Sequence, residues 1–108
     1  VGVDMASKNV RSIFEERLKS VLHLFDLYKF NYAEVGIFGS YARGDYNSLS
    51  DLDICFIAEN RPDRYLTGQL RCDAEELGAD IIFVSPDYFK KDDSLFACNL
   101  RKDYRRLL

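Results

Sequence analysis

The 108-residue chain holds one histidine, no tryptophan, two prolines and three cysteines, and each scarcity excludes something. With His23 alone, no multi-histidine metal centre can be built, and a serine–histidine–aspartate relay would have to recruit that one residue. His23 flanks the apolar stripe of an expected helix and reads as a boundary residue rather than a ligand. Cys55, Cys72 and Cys98 are odd in number, far apart and without a CxxC pair. That pattern argues for reduced thiols over a disulfide frame or zinc site. No apolar run approaches the ~20 residues that span a bilayer, so no membrane partner is expected. Residues 1–9 lack the basic-then-apolar order of a secretory signal, which makes cytoplasm the default. The formal charge of −3 lacks the basic excess of a non-specific nucleic-acid binder, and nucleic acid is not expected as a direct partner.

What is present is ordinary in amount and uneven in arrangement. Hydrophobic residues make up 47% and charged residues 31%, which suits one globular domain spanning residues 1–108. Aspartates are the abundant reactive groups, and they favour oxygen-ligated Mg²⁺ or Mn²⁺. Apolar residues from Val10 to Tyr28 recur at three- and four-residue steps, predicting an amphipathic helix over Ser7–Phe30 with Ser7 as N-cap. Strands are expected over Ala33–Phe38, Asp51–Ala58 and Ala79–Val84. One or two helical turns over Ser40–Gly44 separate the first two strands. A helix starting near Pro62 and ending at Leu77, closed by Gly78, separates the next two. Ser85-Pro86-Asp87 opens a C-terminal segment read as one or two helices. The order α-β-α-β-α-β-α gives an α/β (α+β) class, a small sheet with helices on it.

Two short motifs carry the chemistry. Gly39-Ser40 ends the first strand, where glycine permits a tight turn and a helix opening at Ser40 aims free N–H groups at an anion. Arg43, three residues later, comes round to the same side, within reach of a phosphate or the acidic residues. Asp51 and Asp53 flank Leu52 on the second strand, so their side chains project from one face while Leu52 and Ile54 enter the core. Two carboxylates about 5 Å apart repel by roughly 3 kcal/mol at an effective dielectric near 20. A divalent cation reverses that sign. Asp80 opens the neighbouring apolar strand and can approach the same spot. Either motif alone is weak: a Gly-Ser corner is usually a turn, and a lone Asp-x-Asp is usually a solvated strand entrance.

Together they are specific. The stretch GSYARGDYNSLSDLDI resembles the signature of the DNA polymerase β nucleotidyltransferase superfamily, in particular its minimal nucleotidyltransferase (MNT) group, with ten residues between Gly-Ser and Asp-x-Asp. The Ala42-Arg43-Gly44 run, Ser50 and the apolar tail Ile54–Ile57 agree, and Asp80 matches the family's third carboxylate. The resemblance implies a small mixed sheet flanked by helices, the palm-like fold. It implies that Gly39 and Ser40 hold a nucleoside triphosphate, with ATP the expected substrate. It also implies that Asp51 and Asp53 hold two Mg²⁺ ions, with Mn²⁺ an alternative, and that Asp80 holds one and activates an acceptor hydroxyl.

Longer members bring a second domain that walls the acceptor. With little sequence after the third strand, the resemblance implies that a separate HEPN-type helical partner supplies this wall, as in MNT antitoxins that adenylylate a tyrosine of a HEPN toxin. Assembly as a homo- or hetero-oligomer is open to the chain. Two rival readings stand beside this one: an antitoxin that neutralises by contact without turnover, and transfer to a small molecule such as an aminoglycoside hydroxyl. Arg101, Lys102, Arg105 and Arg106 are expected on one helical face, either simply solvated or docking an acidic partner. Tyr41, Tyr46, Tyr65 and Tyr88 read as core or boundary aromatics, with Tyr41 or Tyr46 the ones near enough to flank a nucleotide.

Overall fold

Apolar runs that alternate or continue for five or six residues build the sheet, and periodic apolar residues build its cover. The computed structural model describes residues 2–28, 32–47, 50–60 and 63–107. The elements run α1 (Gly2–Tyr28), β1 (Glu34–Phe38), α2 (Gly39–Arg43), β2 (Leu52–Ile57), α3 (Arg64–Glu76), β3 (Ala79–Val84), α4 (Pro86–Lys91), α5 (Leu95–Asp103) and β4 (Arg105–Arg106). Strand order is β3-β2-β1-β4. The β1–β2 and β1–β4 pairs are antiparallel, while β2 and β3 run parallel with Asp53 opposite Asp80. The sheet is therefore mixed, and α3 makes the crossover that a parallel pair needs.

The two faces of the sheet carry separate cores. Val35, Ile37, Leu52, Ile54, Phe56, Ile81 and Phe83 pack against Val21 and Phe25 of α1 and Leu70 and Ala74 of α3. Phe56 is the hub, with ring centroids 4.3 Å from Phe25 and 5.2 Å from Phe83. Its full burial contributes about 2–3 kcal/mol. On the opposite face Cys55 and Ile57 pack against Leu100, Phe89 and Tyr104. Asp53 and Asp80 lie on this second face, two residues before Cys55 and Ile82. Burial first, then Glu34, pushes the Cys55 thiol up to about 12, which leaves it unreactive.

Four local expectations are corrected. Helix α1 begins at Gly2, so Ser7 lies within the helix and not at its N-cap. Met5 and Ala6 are good helix formers, and nothing in residues 2–6 breaks the turn. The cap of α3 is Asp63, whose side chain accepts from Leu66 N at 2.9 Å. Pro62, like Phe30, lies outside the described residues. Tyr65 is 74% exposed rather than a core or boundary residue. The basic C-terminal face does not form, because α5 ends at Asp103 and Arg105–Arg106 become β4 on the edge of β1. Arg101 instead turns inward, donating to Phe89 O and Asp92 O at 2.7 Å each, and so pins α4 to α5.

Candidate functional site

The fold brings three of the singled-out segments to one end of the sheet. Strand β1 stops at Phe38, directly opposite Asp53, and the chain turns at once into α2. Gly39 makes that turn at φ 72°, in the left-handed region that favours glycine. A Cβ at Gly39 would collide with Asp53 Oδ2, so the absence of a side chain admits the carboxylate to the opening of α2. The α2 N-cap, Phe38, gives no side-chain hydrogen bond to the first turn. The Ser40 carbonyl accepts from Gly44 N at 2.9 Å, which closes this short helix.

Asp53 and Asp80 are register partners on adjacent parallel strands, so their carboxylates share a face. Asp51 stands just ahead of β2, exposed, while Leu52 and Ile54 are fully buried behind it. Burial first, then the negative charge of Asp80 and of Asp51, pushes the half-buried Asp53 carboxyl up to about 6, opposed by Arg43. Asp51 and Asp80 border a hollow of about 250 Å³ with Arg71, Glu75 and Ala79. A separate, larger hollow of about 500 Å³ shares Arg71 and is lined by Ile82, Val84, Ser85, Tyr88 and Phe96. Arg43 is clasped between Asp45 Oδ2 at 3.1 Å and Asp103 Oδ2 at 2.9 Å. Tyr41 and Tyr46 do not line this site. They stack on each other at 4.3 Å, and Tyr41 packs on Phe14 at 4.9 Å inside the core.

Residues 8–108 match the Nucleotidyltransferase domain. The chain belongs to that family. Solved structures agree on the fold. A toxin–antitoxin complex with AMP-PNP matches at TM-score 0.60 and 20% identity, covering 83% of this chain and 71% of that one. A tri-AMPylated Shewanella oneidensis HEPN toxin in complex with MNT antitoxin matches at 0.57 and 16%, covering 87% and 71%. A minimal nucleotidyltransferase matches at 0.56 and 23%, covering 90% and 94%. No curated protein matches significantly.

The residues of this nucleotidyltransferase domain suit a divalent cation by donor type and charge. All three carboxylates are hard oxygen donors, and Asp53 is held beside two other anions and out of full solvent. A bound cation would relieve that repulsion. Among the described residues, however, no three acidic, histidine or cysteine side chains converge tightly enough to form a ready-made metal cluster. The acids are neighbours that an ion would have to draw together. One residue near the site escaped sequence reasoning. Arg17 of α1 donates from Nη1 to Ser50 O at 2.7 Å, immediately before Asp51. No motif marks it; a polar residue on a helix flank carries no signal of what it meets.

Proposed function

We propose that this domain is a Mg²⁺-dependent nucleotidyltransferase that moves AMP from ATP to a hydroxyl of a protein partner, a tyrosine of a HEPN-type toxin, and thereby acts as its antitoxin. The observation that carries the reading is the close approach of Asp53 to the Gly39 corner, where a Cβ would meet the carboxylate, together with the raised carboxyl that burial, Asp80 and Asp51 give Asp53. The MNT–HEPN structures among the fold neighbours support the choice of partner.

In this mechanism the N–H groups of Gly39 and Ser40 and the Ser40 hydroxyl hold the triphosphate at the opening of α2, and Arg43 adds a side-chain donor. Asp51, Asp53 and Asp80 would be the carboxylates that hold the metal. When bound, Mg²⁺ supplies charge neutralisation for the triphosphate and for the entering and leaving oxygens. In-line displacement needs those oxygens on opposite sides of the α-phosphorus. Since α2 follows β1 and the edge strand β3 lies beyond β2, the acceptor arrives from the β3 side while pyrophosphate departs toward α2. The acceptor oxygen bonds to the α-phosphorus, the bond to the pyrophosphate oxygen breaks, and the hydroxyl proton passes to Asp80. Positioning and charge do the work; no covalent intermediate with the protein is needed.

The test mixes the chain with ATP, Mg²⁺ and any HEPN-type protein found in a neighbouring reading frame, and weighs both proteins by mass spectrometry. One added AMP on the partner, lost with Asp53→Asn in a folded variant, is the expected result. Full transfer by Asp53→Asn would remove the assigned site. Neutralisation that survives Asp51→Asn/Asp53→Asn, with no added mass in the wild type, would establish the contact antitoxin instead.

A further inference from the structure

One cation touches all three segments that deliver the proposed site. Arg17 Nη1 donates to Ser50 O at 2.7 Å, next to Asp51, and to Tyr41 Oη at 3.1 Å, next to Ser40. Its guanidinium also lies against the turn before β3: a Cβ on Gly78 would stand 3.1 Å from Arg17 Cζ and Nε. Gly78 O in turn accepts from Leu52 N at 2.9 Å, and Gly78 sits two residues before Asp80. Tyr41 closes the circuit by donating to Ser50 O at 3.4 Å. The cradle helix, the approach to β2 and the approach to β3 therefore meet on one half-buried planar group.

From this geometry we infer that Arg17 is a positioning residue, which sets the spacing between the Gly39–Ser40 corner and the carboxylates of Asp51, Asp53 and Asp80 from the face opposite the ligand. The inference rests on the proposed function for what is being spaced. Three considerations favour a positioning role over simple packing. Guanidinium donors are fixed in a plane, so two hydrogen bonds from one nitrogen define the angle between α2 and the Asp51 segment as well as their distance. Asp51, Asp53 and Asp80 repel one another, so without a tie they would spread. The described acids are also not clustered tightly enough to hold an ion unaided, so small displacements decide whether they can gather one. Arg17 acts through the Ser50 carbonyl and the Tyr41 hydroxyl rather than on the reacting groups.

The experiment compares wild type, Arg17→Lys, Arg17→Met and Asp53→Asn. It measures melting temperature, the Kd for Mn²⁺·AMP-PNP by calorimetry well below the lowest melting point, and the amide NMR shifts of Ser40, Asp51 and Asp80. Arg17→Met is expected to weaken Mn²⁺·AMP-PNP binding at least tenfold and to shift all three amides together. Arg17→Lys, which keeps the charge but not the fork, should lie between it and wild type. An Arg17→Met protein that melts lower but binds with wild-type affinity overturns the inference, leaving Arg17 a packing residue. Should Arg17→Met fail to fold, Arg17→Lys carries the same two outcomes. Wild-type affinity in Asp53→Asn, or no binding by wild type, defeats the functional reading itself and is told apart by that control.

Discussion

At the scale of single residues, Asp53 is a carboxyl held in surroundings that oppose its charge. Its carboxyl is raised to about 6 from an ordinary 3.8, chiefly by burial and then by Asp80 and Asp51. A carboxyl raised in the fold binds its proton more tightly folded than unfolded, so its contribution to stability is fully present below the ordinary value and lost as pH climbs through 6. Thermal melts of the metal-free protein should therefore fall between pH 4 and pH 6.5. Asp53→Asn should flatten that slope and stabilise the metal-free chain by about 1 kcal/mol near neutrality, the half-exposed position limiting the gain. A slope unchanged in Asp53→Asn would mean that the carboxyl titrates normally. The opposite trend is expected for metal affinity, which should rise over the same interval as the proton leaves. The Asp-x-Asp spacing announced two carboxylates on one strand face, but not this unequal treatment of them. That depends on which residue stands inside the parallel pair and which stands ahead of it, a matter of where β2 begins.

Among the elements, legibility followed the length and polarity of each run. β3 is Ala79–Val84 as its continuous apolar stretch implies, and α4 begins after Ser85, whose side chain accepts from Tyr88 N at 3.0 Å. β4 was illegible because two exposed arginines carry neither alternation nor apolar content; only the edge of β1 makes them a strand. What holds β4 there is a gap in β1. Gly36 lies opposite Arg106, and the Tyr104 ring and Arg105 carbonyl occupy the space that a side chain at Gly36 would fill. Tyr104 Oη is buried, faces Glu34 and has no hydrogen-bond partner among the described residues. Burial and Glu34 together push its pKa far up, so it stays protonated. Gly36→Ala should cost about 1–3 kcal/mol through overpacking, read as a lower urea midpoint, with β4 amides losing protection first. Wild-type stability in that variant would show that Tyr104 yields without strain.

For the molecule as a whole, the division into two cores explains how 108 residues carry both a stable fold and an unstable site. The face against α1 and α3 is closed and apolar, while the other is shared between Cys55, Ile57 and the two acids. Among the described residues, no helix is long and apolar enough to cross a membrane. Binding limited to the folded state should stabilise the whole chain: a free ligand concentration 100-fold above Kd adds about 2.7 kcal/mol. Differential scanning should show a rise of several degrees with Mg²⁺ and AMP-PNP together, and none in Asp53→Asn. An identical rise in both would place the ligand elsewhere.

The clasp on Arg43 adds a last consequence. Because that guanidinium already belongs to Asp45 and Asp103, any incoming anion that recruits it must outcompete the end of α5. If the proposed function holds, arrival of the nucleotide would be felt as a loosened latch near the C-terminal strand, and a tightened latch there would hold Arg43 back.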